Sequence, residues 1–161
     1  MKKILFLSVL ITIIILSNMS VFATAYLQGW DLVDSGKHLD YDGNSIYMGN
    51  FKAGVNKWEA HKPGIIRPDS AWVIEDVYVS DYYTVNSTNA YCSSGGYIKF
   101  NKYNMSGHTS TVRTRIATHE LGHALRLGHS TSADIMYKYT PKTSTLTKND
   151  KDSYNAAYKK Y

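Results

Sequence analysis

The chain has 161 residues, 18 Lys and Arg against 13 Asp and Glu for a net charge of +5, and one cysteine. That length allows one compact domain with a real core and leaves too little for two. A lone Cys92 excludes an intramolecular disulfide framework, and a mild positive charge without a basic block or nucleic-acid motif gives no reason to expect a nucleic-acid partner.

Lys2 and Lys3 precede an apolar run from Ile4 to Leu16, and Ala23-Thr24-Ala25 offers a small-residue cleavage site, so residues 1–25 read as a secretory signal peptide. The mature chain then starts at Tyr26. Because the apolar run is shorter than the ~20 residues a membrane span requires, no membrane association is expected after cleavage. The expected location is extracellular, or periplasmic if the source has an outer membrane, and residues 26–161 form a single domain expected to be monomeric.

Along the mature chain, His38–Tyr41 and Ser45–Met48 flank Asp42-Gly43-Asn44, a turn signal between two strand-like runs that predicts a hairpin. Asp40 and Asp42 lack the remaining ligand spacing of an EF-hand, so these acids read as a solvated turn, and no calcium site is assigned. Phe51, Val55 and Trp58 recur at helical spacing and stop before Pro63-Gly64, predicting a first helix over Phe51–His61. Ile65–Arg67, Ala71–Val79 and Gly96–Phe100 are β-rich runs separated by polar turns. Trp58, Trp72 and the tyrosines read as packing residues, and His38, His61 and His108 have no partner at ligand spacing. Cys92 reads as a small packed side chain.

Val112, Ile116, His119, His123 and Leu127 share one face of a second helix, while Ala117, Leu121, Ala124 and Leu125 share the other, so this helix is expected to be central. It carries His119–His129, HELGHALRLGH. At 3.6 residues per turn His119 and His123 lie about 40° apart on one face, so both imidazoles reach one tetrahedral metal without bending the backbone. Glu120 falls at the edge of that face, where a carboxylate contacts a water on the metal rather than the metal itself, which suits a general base. A continuing helix would leave His129 roughly 9 Å beyond His123 along the axis, so the helix must stop and double back for His129 to join a three-His site. Three neutral imidazoles with an open fourth position suit one catalytic Zn²⁺. Further on, Thr147 with Asp150 three residues later resembles a capping box opening a last helix whose buried stripe is Tyr154, Ala157, Tyr158 and Tyr161.

HExxHxxGxxH followed by a methionine is the pattern of the metzincin clan of zinc endopeptidases, and HELGHALRLGHSTSADIMY resembles it, most of all its matrixin branch. The resemblance implies an α+β zincin domain with a twisted mixed sheet, a central active-site helix and a C-terminal helix. It also implies His119, His123 and His129 as zinc ligands, Glu120 as catalytic residue, and Met136 beneath the metal. The implied function is secreted, zinc-dependent hydrolysis of internal bonds in a peptide or protein substrate. A non-catalytic zinc-binding or adhesion domain, or a toxin on the same scaffold, is the alternative. Two departures stand out. The family glycine seven residues after the first histidine is Arg126, so either Arg126 adopts a left-handed conformation or the helix runs on and turns at Gly128, with Asp134 a conceivable substitute ligand. The family proline two residues after the methionine is Lys138, in the region where Tyr137–Tyr139 are expected to line a substrate pocket. Gly95–Phe100 is the expected sheet edge for an extended substrate. The segment 26–50 holds no cysteine, so cysteine-mediated latency is not expected.

Overall fold

The computed structural model describes residues 24–70 and 73–161. Most of the predicted signal segment, and Trp72, lie outside the described residues.

The first strand, β1 (Leu39–Gly43), buries Leu39, Asp40 and Tyr41 in succession, the pattern of a strand covered on both faces. Burying Asp40 is possible because Arg67 on β2 (Ile66–Pro68) meets it with two hydrogen bonds, of 2.9 and 2.8 Å. β1 pairs in parallel with β2 on one side and with β3 (Val77–Tyr82) on the other. The expected hairpin at Asp42-Gly43-Asn44 is therefore incorrect. Gly43 continues the strand because a Cβ there would sit 2.1 Å from the Val79 carbonyl oxygen. Asn44 and Ser45 then donate backbone hydrogen bonds to that same oxygen, and Asp81 accepts from the Ser45 hydroxyl and the Ile46 amide. Those bonds turn Ser45–Met48 directly into α1 (Met48–Glu59) instead of back along β1.

β3 is followed by β4 (Ala90–Ser93) and β5 (Tyr97–Asn101), which pair antiparallel, while β5 also pairs in parallel with β3. The sheet order is β2-β1-β3-β5-β4, a five-stranded mixed sheet. The placement of the substrate edge at Gly95–Phe100 is thus corrected: β5 has neighbours on both sides, and β4 is the edge strand at that end of the sheet, with β2 at the other. Sequence periodicity missed β4, whose approach from Thr84 to Asn89 is wholly polar apart from Val85. That approach is held by one fully buried side chain, Asn101, whose amide donates to the carbonyls of Thr84 and Thr88. The same residue caps the short helix α2 (Lys102–Met105), also unforeseen.

α3 (Ser110–Ala124) starts at the N-cap Thr109 and is buried from Ile116 to Gly122 on every face. Trp58 of α1 donates its indole N–H to the Thr118 carbonyl at 3.0 Å, which fixes α1 against α3. The last helix, α4 (Lys148–Tyr158), carries the predicted capping box between Thr147 and Asp150, and buries Tyr154 and Ala157 against Trp58 and the core. No helix among the described residues is long and apolar enough to cross a membrane.

Candidate metal centre

The end of α3 is a Schellman motif: the Arg126 amide donates to the His123 carbonyl at 3.0 Å, and the Leu127 amide donates to the Gly122 carbonyl at 2.9 Å. The residue that must be left-handed in this motif is Arg126, and its φ is 73°. Gly128 is not left-handed, so the chain turns at the position where the sequence departs from the family pattern. A non-glycine residue in that conformation costs about 1–2 kcal/mol, which contacts elsewhere must offset. Having turned, the chain brings His129 back beside the helix, with ring centroids 5.4 Å from His119 and 4.9 Å from His123. One nitrogen from each of the three histidines lies within 4.8 Å of the other two.

The outer nitrogens determine what the inner ones can do. His119 Nδ1 lies 2.8 Å from the Ile135 carbonyl oxygen, and His123 Nδ1 lies 2.8 Å from that of Leu127. A carbonyl only accepts, so each Nδ1 carries the proton and each Nε2 presents a bare lone pair. Those two Nε2 atoms stand 3.1 Å apart with no hydrogen between them. The contact is repulsive unless a cation sits at their convergence, and two nitrogens on one tetrahedral zinc are separated by roughly 3.3 Å. Backbone carbonyls orienting ligand histidines are the usual outer support of such sites. Burial and the neighbouring His123 lower His119 to about 3, and burial lowers His123 to about 4, so both rings stay neutral and able to ligate near neutral pH. His129 is more exposed, and burial followed by Lys138 lowers it too. The donor set therefore fits zinc.

Glu120 is buried beside the triad, and burial pushes its carboxyl up to about 8 against a lowering contribution from the Cys92 backbone. Beneath the histidines, Met136 is 1% exposed, and a Cβ on Gly122 would lie 2.3 Å from its sulfur. Only glycine at 122 lets the methionine reach the helix between His119 and His123. His119 and Glu120 also line a cleft of about 270 Å³ bounded by Asn89, Ile116, Lys138 and Tyr139. Tyr137, expected there, is not among its walls.

A matrixin family model matches residues 19–159. The chain belongs to the matrixin family. Matrixins are zinc metallopeptidases, and this matrixin has the metzincin-type fold. Archaemetzincin from Methanopyrus kandleri superposes with a TM-score of 0.55 at 13% identity, covering 79% of this chain and 99% of that one. Myroilysin superposes with a TM-score of 0.54 at 14% identity, covering 75% of this chain and 91% of that one. Comparison with curated protein sequences gives no match.

The remaining candidates of this matrixin fall away from the centre. His61 and His108 meet Asn155 and Asn89, and His38 lies beside Asp34. Asp134 is not a substitute ligand, because one oxygen accepts from the Thr147 hydroxyl and the other from Thr131 and Asn149. Burial raises its carboxyl, and those hydrogen bonds more than offset the rise. Sequence reading missed the outer supports. Asp150 carries a local signal only as a helix cap, yet it also binds the amides of Ile135 and Met136, at 3.1 and 3.2 Å. Gln28 and Asp31 meet the end of α3 from 95 residues away and carry no local signal.

Proposed function

We propose that this matrixin is a secreted endopeptidase in which His119, His123 and His129 hold one catalytic zinc and Glu120 is the general base. The observation that carries the reading is the pair of bare Nε2 atoms 3.1 Å apart with the buried Glu120 carboxyl next to them. When bound, zinc supplies a Lewis acid for the scissile carbonyl and acidifies water toward neutral pKa. Glu120 takes a proton from the attacking water and passes it to the leaving amine, a role that a carboxyl poised near neutrality performs in both directions. The free edge of β4 takes an extended substrate through main-chain hydrogen bonds, and the cleft beside His119 receives a side chain next to the scissile bond. Residues 1–25 direct secretion and are removed.

Digestion of a quenched peptide library, with and without a chelator, tests this reading. Chelator-sensitive cleavage at internal bonds supports it. Stoichiometric zinc without turnover would favour the zinc-binding or adhesion alternative, and specific partner capture without turnover would favour a toxin.

Metal analysis is expected to find one zinc per chain, with His119→Ala and His123→Ala each losing both metal and activity. Finding calcium or magnesium but no zinc would remove the assignment.

Cys92 takes no part in this chemistry. Burial, then the neighbouring Glu120, pushes its thiol up, so it stays protonated and unreactive. Cys92→Ser is expected to leave kcat/KM within about twofold and to cost about 1 kcal/mol from a poorly paired hydroxyl. Thiol-dependent activation on alkylation would contradict this.

A further inference from the structure

The turn that carries His129 depends on an arginine in a conformation that arginine disfavours, and the structure shows what surrounds it. Arg126 Nη1 lies 2.6 Å from Asp31 Oδ2, and the two side chains are 26% and 17% exposed. Asp31 belongs to the N-terminal segment that runs alongside the end of α3. Gln28 donates through its backbone to the Arg126 carbonyl and through its side chain to the His123 carbonyl, and the Leu32 amide donates to the Ala124 carbonyl. The Gly128 amide donates in turn to the Tyr26 carbonyl. All of these bonds except one use backbone groups or Gln28 and are indifferent to the side chain at 126. The Asp31 contact is the exception, since among the described residues it alone grips the arginine.

We propose that Asp31 is a positioning residue for the third zinc ligand. Its ion pair with Arg126 holds the left-handed turn and so keeps His129 against His119 and His123. This rests on the three-His zinc reading given above. A glycine at 126 needs no such grip, because the left-handed region is open to it without steric cost. The pair therefore holds a turn that the matrixin glycine adopts by itself, and a glycine at 126 makes Asp31 dispensable for it.

The test is a cycle of Asp31→Ala, Arg126→Gly and the double variant, in the whole secreted protein. Zinc affinity is read by competition with a chromophoric chelator, and ligand geometry by the visible spectrum after cobalt substitution. Asp31→Ala alone is expected to weaken zinc binding about 10–100-fold, the usual loss for an outer-support residue, and to change the cobalt spectrum. Arg126→Gly is expected to keep near-normal affinity and spectrum. The double variant is expected to match Arg126→Gly, so that glycine rescues the loss of the aspartate. If Asp31→Ala does not yield folded protein, Asp31→Asn, which keeps a neutral acceptor, is expected to give an intermediate affinity that Arg126→Gly again restores. An equal loss in both backgrounds would overturn the proposal by showing that Asp31 acts on the N-terminal segment and not through Arg126. An unchanged affinity in Asp31→Ala would overturn it as well. Absence of zinc from the unaltered protein would instead defeat the metal-site reading, a separate outcome visible in the first sample.

Discussion

Glu120→Gln is expected to lower kcat/KM by about 10²–10⁴-fold while zinc stays bound at one per chain. The amide matches the carboxylate in shape and fills the same buried position, so packing around the centre is retained. What it lacks is basicity. A carboxylate takes the proton of the attacking water and returns it to the leaving amine, whereas an amide oxygen accepts a hydrogen bond without taking the proton. Since Glu120 makes no ion pair among the described residues, the exchange leaves no buried charged partner stranded. Stability should therefore hold, because the neutral amide replaces a carboxyl that burial, raising it to about 8, already keeps largely protonated near neutral pH. Steady-state kinetics with a quenched peptide, paired with zinc analysis of the same sample, measures both halves. Full turnover in the amide variant would show that another group moves the proton. Loss of zinc would show that Glu120 touches the metal.

The parts of this matrixin legible in its sequence are those whose cause is local. α1, α3 and α4 follow from apolar spacing and caps, and the Thr147–Asp150 box marks the start of α4 because both partners lie within one turn. The three histidines converge because two sit at helical spacing and the third follows a helix terminator. Strand pairing is different. β1 pairs with two distant strands in parallel, and the sequence around Asp42-Gly43-Asn44 looks like a hairpin turn because turn residues and a glycine needed for close approach to Val79 are the same residue types. β4 was hidden because the polar run that leads into it is held from elsewhere, by Asn101. Arg126 lies between these cases. Its left-handed conformation was one of the two paths that the ten-residue spacing between His119 and His129 left open, but the aspartate that grips it was not legible, since nothing within a dozen residues points to Asp31.

Asp150→Ala is expected to be the most destabilising single change away from the histidines, by about 3–5 kcal/mol, with zinc binding weakened as a consequence. Asp150 is 1% exposed, and its two oxygens accept from three backbone donors. Those donors are the amides of Ile135, Met136 and Thr147, at 3.1, 3.2 and 2.9 Å, while the Thr147 hydroxyl gives its one proton to Asp134. Truncation leaves three backbone N–H groups without an acceptor, two of them in the methionine turn, and each buried orphan costs about 1–3 kcal/mol. Water entering the vacated space recovers part of that cost, which keeps the total below the simple sum. The Ile135 peptide links this carboxylate to His119. Its amide binds Asp150, and its carbonyl accepts the Nδ1 proton of His119 at 2.8 Å. Releasing the amide frees the peptide to rotate, so His119 loses the contact that orients its Nε2, and zinc affinity should fall by about 10–100-fold. Asp150→Asn is expected to lie between, because its single carbonyl oxygen can serve only part of the donor set. Urea unfolding of the zinc-free and zinc-loaded forms separates the two effects, since the loss from unpaired amides is common to both. A loss below about 1 kcal/mol in the zinc-free form, or unaltered zinc affinity in a folded variant, would show that the methionine turn is held without Asp150.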